Sequence, residues 1–169
     1  LERSDRPGGT WRDNTYPGAA CDIPSRLYSY SFAPNPSWSQ TYSGSAEILD
    51  YIESMVAEHS LDRVIRYRTT VTDLTFDEPA GLWRLSVDGG ETVLARTAII
   101  ASGPLSTPGY PDIPGLDEYA GKRMHSAAWD HDYDFRGKKV GVIGTGASAV
   151  QIIPELVEKA AAVTVFQRT

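Results

Sequence analysis

The segment KKVGVIGTGASAVQ, residues 138–151, carries the residues best suited to binding a phosphorylated ligand. Gly144, Gly146 and Ala149 form G-x-G-x-x-A directly after an apolar run and at the predicted start of a helix. The first glycine permits a tight turn, the second lets the backbone approach a pyrophosphate, and the alanine lets helix and strand pack closely. The helix N-terminus adds free N–H groups and a positive dipole end. The pattern predicts a dinucleotide site; the alternative is a tight turn in a non-binding α/β domain.

The end of the next strand predicts which dinucleotide is bound. An NAD site usually places Asp or Glu there, whereas this chain reads FQRT, residues 166–169. Arginine accepts the 2′-phosphate of NADP, so Arg168 favours NADPH over NADH, the alternative being a solvated surface arginine. The predicted NADP contacts are Gly144, Thr145, Gly146, Ala147, Ser148, Ala149, Gln151, Arg168 and Thr169.

The elements that would position this site follow from hydrophobic periodicity. A strand over residues 138–143, a helix over 147–160 and a strand over 163–166 predict a β-turn-α-β unit in a parallel sheet with helical cover. Upstream, apolar spacing predicts a helix over 45–59, and residues 6–45 are loop-like. Further short strands are predicted at 64–67, 70–76, 82–87, 92–94 and 95–101.

Composition excludes several classes of function. The net charge of −6 argues against a nucleic-acid-binding surface. The single cysteine, Cys21, leaves no internal disulfide, CxxC pair or cysteine zinc cluster, and it fits a reducing, cytoplasmic location. No apolar run approaches the roughly 18–20 residues of a membrane span. No metal site is expected, because the following neighbours suit a solvated turn better: Asp130, His131, Asp132 and Asp134.

Two further stretches match known motifs in order. The first is ERSDRPGGTWRDNTYPGAACDIPSRLYSYSF, residues 2–32, with E-x5-GGTW, YPG and LYSYSF. The second is YAGKRMHSAAWDHD, residues 119–132, with F-x-G-x3-H-x3-W followed by Pro or Asp, Tyr119 replacing the usual Phe. Together they resemble the flavin-containing monooxygenase superfamily, specifically its Baeyer–Villiger branch. Trp129 favours that branch, since N- and S-oxidising relatives commonly have Tyr or Phe there.

The resemblance implies an α/β fold class with two dinucleotide-binding, Rossmann-like domains, both incomplete in this chain. Residues 1–115 would be the C-terminal part of an FAD-binding domain, 116–137 a linker carrying the fingerprint, and 138–169 the first β-α-β of an NADP-binding domain. The first glycine fingerprint, the catalytic arginine and most of the substrate pocket are expected before Leu1 or after Thr169. The chain alone is therefore expected to be inactive.

The resemblance also implies residue roles. Glu2 would bind the adenosine ribose of FAD, and Asp22 would be the active-site aspartate beside flavin and nicotinamide. The other implied FAD contacts are Gly9, Thr10, Trp11, Ile23, Tyr28, Val71, Ser102 and Gly103. The fingerprint residues, which would couple domain movement to cofactor positions, are Gly121, His125, Trp129 and Asp130.

The implied activity is an FAD- and NADPH-dependent monooxygenase. It would insert one oxygen atom of O2 into a small-molecule ketone through a C4a-peroxyflavin and give an ester or lactone. One alternative is N- or S-oxygenation on the same scaffold. A disulfide reductase needs a dithiol that the single cysteine does not provide, and a non-catalytic nucleotide-binding module is the alternative from another class.

Overall fold

The computed structural model describes residues 1–105 and 107–167, and the chain divides into two compact units. The first unit comprises residues 1–8 and 52–103, and the second comprises 9–51 and 104–169. The predicted three-part division at residues 115 and 137 stays a prediction. The helices are α1 (Thr10–Asp13), α2 (Ser45–Glu58) and α3 (Ala147–Val157), and the strands are β1 (Val71–Asp77), β2 (Leu82–Val87), β3 (Thr92–Ala95), β4 (Lys139–Ile143) and β5 (Ala162–Phe166).

The first unit contains an antiparallel sheet in the order β1-β2-β3. Leu85 of β2 pairs with Leu74 of β1 on one side and with Val93 of β3 on the other. Beside it, the N-terminal segment pairs with residues 66–69: the backbone N–H of Glu2 donates to the carbonyl of Arg66 at 2.9 Å. The sequence therefore predicted this meander correctly to within one residue at each strand end.

Two predicted strands of the first unit are wrong. Residues 64–67 follow a single 3-10 turn and form no regular strand, and residues 96–101 are irregular beyond the end of β3. Ile99 and Ile100 are 87% and 76% exposed. An apolar run becomes a strand only where a neighbouring strand supplies backbone partners, and among the described residues none pairs with 96–101.

The second unit contains the predicted strand-turn-helix-strand. β4 and β5 run parallel, with Val142 opposite Val165, and α3 packs against them. The core consists of buried side chains from a loop and from α3, against which strand and linker side chains pack: Tyr16, Ala19, Ile152 and Leu156, then Trp129, Phe135, Val140, Val142 and Val163. β-branched residues on the strands and an apolar face on the helix explain why this segment adopts the fold.

The loop-like stretch before α2 is held by buried and partly buried hydrogen bonds. The hydroxyl of Ser25 donates to the carbonyl of Thr41 at 3.0 Å and lies 2.9 Å from the hydroxyl of Ser43. Tyr51 of α2 donates to the carbonyl of Ala33 at 2.6 Å. These contacts satisfy polar groups that a structureless buried loop would leave unpaired. Within the described part of the chain, no helix combines the length and apolarity that crossing a bilayer requires.

Candidate cofactor site

The Gly-Thr-Gly turn has the backbone geometry that a diphosphate site needs. Gly144 follows β4 with φ +108°, and its N–H donates to the carbonyl of Phe166 at 2.9 Å. Gly146 is extended, with φ −71° and ψ 179°, and caps the N-terminus of α3. A Cβ built on either glycine would meet no other atom within 4 Å. The open space at this helix start therefore fits an approaching anion.

A cavity of about 330 Å³ lies in the second unit, to which all of its lining residues belong. It is lined by side chains from three sets of predicted site residues that lie apart in the sequence. The predicted flavin residues that line it are Thr10, Trp11, Asp22 and Tyr28; the predicted nucleotide residues are Ala147, Ser148 and Gln151; and the fingerprint residue is His125.

One wall of the cavity is an aromatic pair. The indole N–H of Trp11 donates to the hydroxyl of Tyr28 at 3.2 Å, and the two rings meet edge to face, with centroids 5.4 Å apart. Burial raises the pKa of Tyr28 above its usual value, more than the hydrogen bond from Trp11 lowers it. The phenol therefore stays protonated and can donate to an acceptor in the cavity. Asp22 places an exposed carboxylate on the same cavity.

Among the cavity residues that the sequence did not predict, two are buried and polar at their side-chain ends, Asn14 and Tyr16. Asn14 is buried, and its amide donates to the carbonyls of Thr10 at 3.0 Å and Leu105 at 3.1 Å. Tyr16 is also buried, and its hydroxyl donates to the side-chain oxygen of Gln151 at 2.8 Å. The only feature of the sequence that could have indicated these two residues is their position, since both lie between the GGTW run and the predicted aspartate. Their partners, up to 135 residues away, have no local signature.

The histidine of the fingerprint has a defined tautomer. The Nδ1 atom of His125 accepts the backbone N–H of Ala127 at 3.0 Å, so the neutral ring carries its proton on Nε2. The ring also meets Tyr110 edge to face at 5.5 Å. Trp129 stacks on Phe135, with centroids 5.5 Å apart, and packs against the core of the second unit. The tryptophan of the motif therefore has a packing role in this structure.

The glycine of the fingerprint lies close to an aromatic ring. A Cβ at Gly121 would collide with the ring of Tyr119, the residue that replaces the usual phenylalanine. Asp130 pairs with Lys122, and this hydrogen bond is the main reason that the pKa of the carboxyl lies below its usual value. The backbone around the fingerprint is thus held by local contacts on both sides of His125.

In the acidic turn after the fingerprint, residues 130–134, carboxylates form ion pairs with basic side chains. The carboxylate of Asp134 accepts two hydrogen bonds from the Nε of Arg136 and one from its terminal nitrogen, which lowers the pKa of Asp134 to about 2. His131 lies 2.8 Å from the hydroxyl of Thr15. In residues 1–105 and 107–167, no group of three His, Cys, Asp or Glu side chains is arranged to hold a metal ion.

The remaining predicted site residues lie elsewhere. In the first unit are Glu2, whose carboxylate accepts the N–H of Ser4 at 2.8 Å, and the exposed residues Val71, Ser102 and Gly103. In the second unit, Gly9 caps α1, while Ile23 and Thr145 are exposed and Ala149 is half-buried. Arg168 and Thr169 fall outside the described residues. All of these cofactor roles stay predictions.

Comparison with known proteins assigns the family. The pyridine nucleotide-disulphide oxidoreductase family model matches residues 18–169, and the chain belongs to this family. Its sequence contains one cysteine, Cys21, which is buried. A redox dithiol within this chain is therefore absent, whatever the name of the family.

Particular relatives point to one branch of monooxygenases. The chain is 50% identical to a Baeyer–Villiger monooxygenase of Streptomyces coelicolor over 169 residues, which is the whole chain and 32% of that protein. It is 44% identical to a Baeyer–Villiger monooxygenase of Pseudomonas aeruginosa, with the same coverage. The chain thus spans about a third of the length of these relatives, and the resemblance predicted from the motifs is confirmed.

Solved structures agree with this assignment. An oxidized steroid monooxygenase bound to NADP superposes with a TM-score of 0.86 at 44% identity, covering 99% of the chain and 33% of that protein. The OTEMO complex with FAD and NADP superposes with a TM-score of 0.89 at 39% identity, covering 99% and 34%. The predicted α/β class with Rossmann-like units is therefore confirmed.

Proposed function

We propose that the protein containing this chain is an FAD- and NADPH-dependent monooxygenase of the Baeyer–Villiger type. In the overall reaction, a ketone, O2, NADPH and a proton become an ester or lactone, NADP⁺ and water. The observation that carries the proposal is the cavity of the second unit, where Trp11, Asp22 and Tyr28 meet the start of α3. The activities of the similar proteins, and the FAD and NADP in their structures, support the same conclusion.

The residues of the chain bind and orient the reactants. The glycine turn and the free N–H groups of α3 hold the diphosphate of NADPH, since the dipole and the exposed amides favour an anion. Tyr28 donates from its protonated phenol, while the carboxylate of Asp22 orients cationic groups and tunes the charge near the reacting atoms. Bound flavin would supply hydride acceptance and oxygen activation. The chain contributes part of the FAD domain with residues 1–115, the linker with residues 116–137, and the start of the NADP domain with residues 138–169.

Product analysis on the complete, FAD-loaded protein tests the proposal. With a panel of ketones, we expect one O2 to be taken up per NADPH and the ketone to become an ester or lactone. NADPH consumption that yields only hydrogen peroxide would argue against oxygen insertion. Sulfoxides or N-oxides without esters would favour the heteroatom-oxygenating alternative. A colourless protein that ignores NADP⁺ in titration would favour a non-catalytic module.

Substitution of Arg168 tests the choice of nucleotide. If its guanidinium binds the 2′-phosphate, Arg168→Ala raises the KM for NADPH by about 10- to 100-fold, because a charge-assisted hydrogen bond contributes about 1.5–3 kcal/mol. The KM for NADH, which lacks that phosphate, changes less than about twofold by the same argument. Steady-state kinetics with both nucleotides measures the difference. Arg136→Ala, which removes an exposed arginine paired with Asp134, is the control. Equal effects on NADPH and NADH would remove Arg168 from the site.

The location of the protein is a separate proposal. A cytoplasmic location is supported by the single cysteine of this chain, which is buried and forms no disulfide. Oxidising compartments maintain disulfides, and this chain has none to maintain. Cell fractionation checks it, and recovery of the protein outside the cytoplasmic fraction would contradict it.

A further inference from the structure

The side chain of Gln151 bridges α3 and the loop that leads to Asp22. Its amide oxygen accepts the hydroxyl of Tyr16 at 2.8 Å and the N–H of Ala20 at 3.4 Å. Its amide nitrogen donates to the carbonyl of Ala20 at 2.8 Å. Both ends of one side chain are therefore engaged by a segment 131 to 135 residues away in sequence. We call Tyr16, Ala20 and Gln151 the amide clamp.

The backbone at the same position confirms how closely the loop approaches the helix. Gly18 has φ +78°, and a Cβ built on it would lie 2.6 Å from the backbone oxygen of Gln151. On either side of Gly18, Tyr16 and Ala19 are buried in the core with Ile152. The loop is thus fixed to one turn of α3 by close backbone contact, apolar burial and hydrogen bonds together.

All three residues of the amide clamp line the cavity. Gln151 lies one helical turn after Ala147, at the start of α3, where the diphosphate is proposed to bind. Ala20 is two residues before Asp22, on the wall that also contains Trp11 and Tyr28. A change in the clamp would therefore alter the distance between the two walls of the cavity.

We propose that Tyr16 and Gln151 are positioning residues, which set the spacing between the nicotinamide carrier and the flavin rather than binding the nucleotide. This inference rests on the proposed function. Hydride transfer requires the reacting atoms to lie roughly 3–3.5 Å apart, and a displacement of about 1 Å can slow a reaction by about 100-fold. The amide of Gln151 is suited to fixing such a distance, because its oxygen accepts two hydrogen bonds and one of its two N–H groups donates a third.

Three variants of the complete, FAD-loaded protein test the role: Gln151→Met, Tyr16→Phe and the double variant. Gln151→Met keeps the side-chain length and removes all three hydrogen bonds of the amide, whereas Tyr16→Phe removes a single oxygen atom. For each, we would measure the rate constant of flavin reduction at saturating NADPH, the Kd for NADP⁺ and the midpoint of urea unfolding. Tyr42→Phe, at an exposed tyrosine that does not line the cavity, is the matched control.

A positioning role predicts a specific combination of results. Each single variant slows flavin reduction by about 10- to 100-fold, as expected for a reacting pair displaced by up to about 1 Å. The double variant is no slower than the slower single variant, because both substitutions break one unit. The Kd for NADP⁺ changes less than about threefold, and Tyr42→Phe changes nothing beyond the same margin.

Other combinations would overturn the inference. A Kd for NADP⁺ raised by Gln151→Met and unchanged by Tyr16→Phe would make Gln151 a nucleotide ligand. Lower unfolding midpoints with unchanged flavin reduction would make the clamp purely structural. Failure of the wild-type flavin to accept hydride from NADPH would overturn the proposed function itself. That last result is distinguishable, since failure of the clamp alone leaves wild-type reduction intact.

Discussion

Gly146→Ala is expected to weaken NADP⁺ binding by about 10- to 100-fold while leaving the fold intact. Gly146 has φ −71°, which any residue adopts, and an added Cβ would meet no atom within 4 Å. The protein alone therefore tolerates alanine, and stability is unchanged or rises by about 0.4–1 kcal/mol. The same Cβ fills the space through which the backbone approaches the diphosphate, and one or two charge-assisted hydrogen bonds are lost.

Titration of the FAD-loaded protein with NADP⁺ and a thermal unfolding curve measure the two effects separately. Gly44→Ala is the control, because Gly44 does not line the cavity and its Cβ would make only an ordinary contact, 3.8 Å from the carbonyl oxygen of Ala19. We expect that control to change neither quantity. An unchanged Kd in Gly146→Ala would mean that no diphosphate approaches this glycine. A large loss of stability would contradict the open geometry of the turn.

The contrast between the β4-turn-α3-β5 segment and residues 95–101 shows which part of the fold can be predicted locally. The β4-turn-α3-β5 segment was predicted to within about three residues at each end, because its apolar periods and glycines are all close in sequence. The strand predicted over residues 95–101 does not form: β3 ends at Ala95 and the rest is irregular, because pairing depends on a distant neighbour and not on the apolar run itself. Periodicity identifies what can form a strand, and tertiary partners decide whether it does.

The candidate site likewise contains residues that a local motif predicts and residues that no local motif predicts. Gly144 and Gly146 were predicted from a motif whose every position has a physical requirement. Tyr16 was not, since a tyrosine in a YPG loop gives no indication that its hydroxyl meets a glutamine 135 residues later. Gln151 was predicted as a nucleotide contact from its place after the motif, and the structure adds a contact with the loop that the motif does not encode.

Gly18→Ala is the substitution expected to cost the most stability. Its φ of +78° carries a cost of about 1–3 kcal/mol for a residue with a Cβ, and that Cβ would lie 2.6 Å from the backbone oxygen of Gln151. Neither the helix backbone nor the buried loop can yield cheaply, which adds about 1–3 kcal/mol of overpacking. We expect the free energy of unfolding to fall by about 3 kcal/mol, measured by urea denaturation of the complete protein followed by tryptophan fluorescence.

Gly115→Ala separates the two causes of that loss. Gly115 has φ +80°, nearly the same φ as Gly18 and in the same unit, but its Cβ would meet no atom within 4 Å. This variant therefore has the backbone strain without the collision, and we expect it to lose about 1 kcal/mol. The difference between the two variants measures the contact between loop and helix. Equal losses would mean that the loop moves away from α3 at little cost, and a loop that yields so easily could not hold the two walls of the cavity at a fixed distance.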